Sequence, residues 1–188
     1  MRWPAALPFI LLLSAACGGD GGDATPISEP TREPSAAPTQ SVQRTPTFDI
    51  RETDLESLPE VQTVLEETGG AYVQTDVIYT DVTDDGFDEA VVPISSDGTI
   101  GYLGFLVYMV NGDQVELLLQ QYPAAGGAQI EVRGDKLVMV EAAPGPDDPE
   151  CCPSFLQVTS FAWNGAAFAV ESVVTEPNPD VATATPAP

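Results

Sequence analysis

Residues 48–177 carry nearly all the patterned hydrophobicity in this chain, and the stretches directly on either side of them are built from residues that cannot make a core. Upstream, Gly18-Gly19-Asp20-Gly21-Gly22-Asp23 gives way to a run rich in Pro, Ser and Thr from Thr25 to Thr47. Such a segment holds too little apolar side chain to offset the entropy of ordering it. It reads as a spacer, coil-like where Gly dominates and extended where Pro does. Val181-Ala182-Thr183-Ala184-Thr185-Pro186 repeats that character after the patterned stretch. The expected organisation is a spacer over 17–47, one globular α+β domain over 48–177 and a disordered Pro/Thr tail over 178–188. A stretch of about 130 residues is long enough to bury a core of its own.

The first residues read as an export address. Arg2 supplies a positive charge, Phe9-Ile10-Leu11-Leu12-Leu13 an apolar segment, and Ser14-Ala15-Ala16 the small residues that precede a cleavage site. The apolar segment is too short for a permanent span, which needs about 20 residues. Residues 1–16 therefore read as a removable signal peptide. Leu13-Ser14-Ala15-Ala16-Cys17 resembles the lipobox of bacterial lipoproteins, with Ser14 where that family prefers Leu. The resemblance implies acylation of Cys17 with palmitate-type chains and anchoring at the extracytoplasmic face of the cell membrane. Two acyl chains on one residue suffice for stable anchoring. An ordinary secretory peptide that leaves Cys17 as a thiol is the alternative.

Charge narrows the partners. Six basic residues stand against 29 acidic ones, for a net charge of −23. Between Phe48 and Pro177 the only basic residues are Arg51, Arg133 and Lys136. A nucleic-acid binder needs a basic footprint, so no nucleic-acid partner is expected. Membrane attachment would have to come from the lipid. Divalent cations and basic partners remain compatible with this charge, calcium is the one cofactor the sequence suggests, and the expected partner is an unidentified protein or small molecule bound by a monomer. The sequence has no histidine, which removes Ser-His-Asp and Cys-His catalysis.

Within 48–177 a helix comes first. Ser57 stands as its N-cap, Pro59 in the first turn and Glu60 as the return arm of a capping box. Leu58, Val61, Val64 and Leu65 share a face, and Gly69-Gly70 ends it. Strands follow: Val73, Thr75, Val77 and Tyr79 alternate; Ala90 to Ile94 is an apolar run in which Pro93 suggests a sheet edge; Ile100 to Val110 is apolar throughout and reads as a buried central strand. It ends at Asn111-Gly112-Asp113, and Val115 to Gln121 returns. A Gly134-Asp135 turn places Val132 opposite Leu137 and Ile130 opposite Met139. An Asn164-Gly165 turn of the two-residue kind would place Trp163 opposite Ala166, Phe161 opposite Phe168 and Thr159 opposite Val170. The result is a helix packed on a mainly antiparallel sheet of six to eight strands, arranged as hairpins and a meander.

Two constellations could carry chemistry. In Asp81-Val82-Thr83-Asp84-Asp85-Gly86-Phe87-Asp88-Glu89, oxygens recur at alternate positions with Gly after the third, as calcium loops require. The ligands would be Asp81, Thr83, Asp85, the Phe87 carbonyl and Glu89. The loop resembles the acidic loop of FG-GAP and VCBS-type repeats, although Thr83 replaces an acid and Val92 stands where an EF-hand needs Glu. A polar turn between two strands accounts for the same residues. Cys151-Cys152-Pro153-Ser154 could close a vicinal disulfide or form a kink before the next strand. Arg133-Gly134-Asp135 reads as a hairpin turn, and no spacing singles out a pair of catalytic carboxylates.

Together, the lipobox, the Thr/Pro spacer, the acidic loop and Cys-Cys-Pro-Ser resemble bacterial cell-envelope lipoproteins and are loosely similar to the LppP/LprE lipoproteins. The resemblance implies an anchored, non-enzymatic binding or envelope-support module. Two other readings stay open: a carboxylate-dependent envelope hydrolase, assisted by calcium, and an inhibitor or accessory subunit for a secreted or envelope partner.

Overall fold

The computed structural model describes residues 44–124, 126–149 and 152–182. Residues 1–16 and Cys17 lie outside them, as do Cys151 and residues 183–188.

The helix α1 spans Pro59–Thr68. Its start differs from the expectation. Pro59 takes the first helical position, which makes Leu58 the cap residue, and no side chain caps the helix. Ser57 is instead spent on a preceding turn, where its backbone N–H and hydroxyl both donate to the Asp54 carbonyl at 3.2 and 2.9 Å. Glu60, free of a capping box, accepts from the Tyr108 hydroxyl at 3.5 Å. The C-terminal stop is as expected: Gly69 adopts φ 67° and its N–H closes on the Leu65 carbonyl.

Nine strands follow among the described residues: β1 Ala71–Tyr72, β2 Ile78–Thr80, β3 Glu89–Ser95, β4 Tyr102–Asn111, β5 Gln114–Gln121, β6 Ala128–Arg133, β7 Lys136–Ala143, β8 Phe155–Trp163 and β9 Phe168–Pro177. All pairings are antiparallel. β4 is the hub. β3 lies along one side; β5 lies along the other, and β6 joins there through the single pair Tyr102–Ala128. β6 to β9 then form a meander.

The alternating strand expected over Val73–Tyr79 is broken into β1, a 3-10 turn at Gln74–Asp76 and β2. Both pieces pair with β3, and the gap between them falls opposite Val92 and Pro93. Proline has no N–H to donate to a ladder. Pro93 therefore interrupts pairing on one side of β3 rather than placing it at an edge. The Asn164 hairpin also departs from the expected register. The Asn164 side chain accepts from the Ala166 and Ala167 N–H groups, each at 3.0 Å, and builds a four-residue loop. Trp163 consequently pairs with Phe168, Phe161 with Val170 and Thr159 with Val173. The Gly134-Asp135 hairpin has the expected register.

Alternation along β3 and β4 sorts the core into two layers. Ala90, Val92, Ile94, Leu106, Tyr108 and Val110 face one way and pack with Val61 and Val64 of α1, Ile50 and Leu55. Fully burying residues such as Val61 and Val64 stabilises by about 1.5–3 kcal/mol each. Val91, Phe105 and Val107 face the other way and pack with Ile130, Leu137, Met139, Phe161 and Phe168 of the meander. Phe105 and Phe161 meet edge-on at 5.9 Å. The two halves meet where glycine allows it: a Cβ on Gly127 would lie 1.9 Å from the Ile100 carbonyl oxygen, and one on Gly101 2.5 Å from that of Ala128.

Both ends of the domain reach past the compositional boundaries. Thr47 donates through its N–H and hydroxyl to the Gly112 carbonyl at 2.9 and 2.8 Å, and Arg44 is buried. At the other end Asn178 is buried, donates to the Ser154 and Pro153 carbonyls, and leads into the short helix α2, Pro179–Ala182.

Candidate functional site

The acidic loop joins β2 to β3, and its shape is set by its own side chains. The Asp81 carboxylate accepts from the Asp85 N–H at 3.2 Å and the Gly86 N–H at 2.8 Å. Asp85 accepts from the Phe87 N–H at 3.0 Å. Asp84 takes a left-handed φ of 58° and Gly86 one of 88°. Glu89, the first residue of β3, turns back beneath the loop and accepts from the Val82 and Thr83 N–H groups at 2.9 and 3.2 Å and from the Thr83 hydroxyl at 3.4 Å.

Three of the five oxygens nominated from sequence converge on a cation, and that cation is Arg44. Its guanidinium is paired with the Asp85 and Glu89 carboxylates. Nη2 also donates to Asp85 Oδ1 and to the Phe87 carbonyl, each at 3.0 Å, while Nη1 donates to the Val110 carbonyl at 3.3 Å. The Phe87 ring lies 5.8 Å from the guanidinium carbon. The Arg44 side chain is only 3 % exposed and that of Glu89 is fully buried.

The loop as arranged does not fit calcium. A guanidinium stands among the oxygens a metal would need, and Asp81 is turned to backbone N–H groups. Among the described residues no three His, Cys, Asp or Glu side chains are grouped to hold a metal ion. Nothing in the composition around Arg44 separates it from Arg32 in the same Pro/Thr-rich run, so its role has no local signature.

Two carboxylates share one guanidinium here, with Asp81 alongside, so negative charge is in excess. Burial is the largest influence on Glu89 and pushes its carboxyl up to about 7; Arg44 and the Val82 N–H oppose that, while Asp85 and Asp81 reinforce it. Burial works against the Arg44 charge too, but Asp85 and Glu89 outweigh it and hold the proton more tightly than usual.

On its other side the loop borders an open groove of about 460 Å³, lined by Thr83, Asp84, Asp135, Trp163, Asn164 and Gly165. Three separate turns meet there: the acidic loop, the β6–β7 hairpin and the β8–β9 hairpin. Asp84 and Asp135 are exposed. Neither carboxylate has a hydrogen bond or ion pair among the described residues. Trp163 is half-buried, with its ring 5.3 Å from that of Phe168. No basic side chain lines the groove. Arg133 in the same hairpin is turned to Glu131 at 2.9 Å, and Lys136 to Glu171.

The second constellation can be followed only in part, because Cys151 lies outside the described residues. Cys152 is exposed, and its N–H donates to the Pro149 carbonyl at 3.0 Å. The loop around it is gathered by Asp148, whose carboxylate accepts from the Ser154 hydroxyl and N–H and from the Gly145 N–H. The Ser154 hydroxyl, followed by the two N–H groups, holds the Asp148 carboxyl below the usual carboxylate range. Compared with known proteins, the chain matches no family model, no curated protein and no solved structure.

Proposed function

We propose that the protein is a non-enzymatic binding module, an α+β domain held at the extracytoplasmic face of the membrane through Cys17, which takes a cationic group of its partner in the groove between Asp84, Asp135 and Trp163. The groove carries this reading: two carboxylates that accept no hydrogen bond and form no close ion pair among the described residues stand beside an indole, with no basic side chain lining the groove, although Lys136 lies near enough to Asp135 to feel its charge. A lysine, arginine or alkylammonium group gains charge pairing from the acids and cation–π attraction from the ring, the latter worth about 0.5–1 kcal/mol at an exposed site. The long-range field of a chain with net charge −23 draws such a partner in. A hydrolase finds less support. Glu89 is the carboxyl that burial brings near neutrality, and it is sealed under the loop where no substrate reaches it. An accessory subunit that docks a basic partner segment fits the same groove.

The two tryptophans of the sequence are Trp3 and Trp163. Trp3 belongs to the proposed leader, so Trp163 reports alone in the mature chain. Titration with a short oligolysine peptide should shift or quench its emission saturably, and Asp84→Asn together with Asp135→Asn should weaken the response at least tenfold. Emission that ignores the peptide, or responds equally in the double variant, would overturn the groove as the binding site.

A further inference from the structure

The last strand of the meander is built to be paired on both sides but is paired on one. β9 runs ten residues, from Phe168 to Pro177, and bonds only to β8. Its other edge meets no strand among the described residues. Exposed edges are usually kept short or marked by charged residues, above all lysine, by bulges or by an internal proline. β9 is long, has no basic residue and carries proline only at its last position; its two glutamates and its bulge at Glu171 leave Ser172 to Thr175 uncharged and without such a device. Val170, Val173 and Val174 are 57, 56 and 47 % exposed, and Phe155 at the start of β8, opposite Pro177, is 42 % exposed.

We infer that this edge is an interface between two copies of the chain, which pair β9 against β9 antiparallel about a two-fold axis through Val173. The register singles out the second copy as the occupant. Residues paired across strands point to the same face. Val170 and Val173 lie on the face shared with Phe161 and Thr159; Val174 lies on the opposite face with Val158. A two-fold through Val173 sets Val173 against its own counterpart and Ser172 against Val174 of the second copy. The β8–β9 register slips between Ser160 and Phe161, which leaves Glu171 as an extra residue outside the ladder, beside Lys136. Beyond this bulge Val170 meets Thr175, Ala169 meets Glu176 and Phe168 meets Pro177. Faces match at every pair, and no glutamate opposes a glutamate. That condition matters in a chain of net charge −23, where most surfaces would bring acid against acid. β-branched residues paired in this way are among the favourable cross-strand neighbours, and an isologous two-fold contact is the commonest way for soluble chains to close an assembly. One edge buries less than a standard interface of about 1,600 Å², so the dimer forms and dissociates with concentration. Such a dimer departs from the monomer expected from sequence.

Sedimentation equilibrium on the full chain carrying Cys17→Ala tests this. The mass should rise with concentration from that of one chain, 19.8 kDa, toward twice that value. Val173→Lys sets like charges against each other on the axis and should hold the mass at one chain while the thermal melt stays cooperative. As a second variant, Val173→Cys should form a disulfide-linked dimer under mild oxidation, because position 173 faces itself; Val170→Cys, which faces Thr175, should not. A mass of one chain at every concentration, a dimer that survives Val173→Lys, or equal cross-linking at 170 and 173 would each overturn the inference.

Discussion

A guanidinium buried with two carboxylates is costly to break from either side, because whichever group is left has neither water nor a partner. Arg44→Met strands Asp85 and Glu89 and should cost about 3–5 kcal/mol in urea denaturation, the usual loss when one member of a buried pair is removed. Adding Glu89→Gln removes one stranded charge, so the double variant should lose less than the sum of the two single losses. Arg44→Ala also clears the space between Asp85, Glu89 and the Phe87 carbonyl. Its melt should acquire a calcium response at millimolar concentration that the wild type lacks, up to about 2.7 kcal/mol at one hundred times Kd. An equal response in the wild type would show that Arg44 is not the loop's cation. Glu89 sets a pH dependence of definite sign. Its carboxyl is pushed up to about 7 in the folded chain, so folding takes up a proton between the ordinary carboxylate range and about pH 7. The stability this provides is complete below that window and is lost as pH rises through it. Thermal melts should therefore fall more steeply from pH 5 to pH 8 in wild type than in Glu89→Gln, a comparison that cancels the remaining carboxylates. The loop residues were legible in sequence because oxygen ligands and Gly recur at fixed spacing. Arg44 was not, because a long-range ion pair leaves no local pattern.

Among the elements, those whose shape depends on local chemistry were readable and those shaped by a neighbour were not. The Gly134-Asp135 hairpin needs only a residue at positive φ between alternating strands, and Gly134 supplies φ 69°, so turn and register followed from sequence together. At Asn164 the side chain competes for the backbone N–H groups of its own loop. That lengthens the turn and moves every pair in β8–β9. The strand expected at Val73–Tyr79 failed for a reason carried by a different strand, since Pro93 of β3 withholds the donor that would have kept it continuous. The closest approach between elements depends on glycine in the same non-local way. Gly127→Ala would press a methyl group 1.9 Å from the Ile100 carbonyl oxygen, against backbone that cannot rotate aside. Denaturant unfolding should show a loss of about 1–3 kcal/mol, the range for overpacking, whereas Gly98→Ala, whose nearest neighbour would be 3.8 Å away, should change stability far less.

At the scale of the whole molecule, charge and fold pull against each other. A net charge of −23 on a chain of this size repels itself in the compact state. The surface offers little compensation: Arg51 with Asp49 and Asp88, Arg133 with Glu131, and Lys136 with Glu171 are substantially exposed pairs, and pairs of that kind contribute about 0–1 kcal/mol. Stability must come from the two apolar layers on either side of β3 and β4; the buried clasp of Arg44 with Asp85 and Glu89 fixes the loop and is costly to break from one side, but supplies little net stability itself. Salt separates these contributions. Between 0.01 and 0.1 M the screening length falls from about 30 to about 10 Å, which quiets repulsion between distant acids but leaves contacts buried beneath the loop almost untouched. The melting temperature should therefore rise as sodium chloride is added. It should rise by the same increment in Arg44→Met as in wild type, because the clasp lies below the screened layer. A melting temperature that falls with salt would mean that the exposed pairs outweigh the repulsion. A smaller rise in wild type than in Arg44→Met would mean that the clasp is open to solvent and weakened by salt, in which case calcium would reach Asp85 and Glu89 without Arg44 being removed.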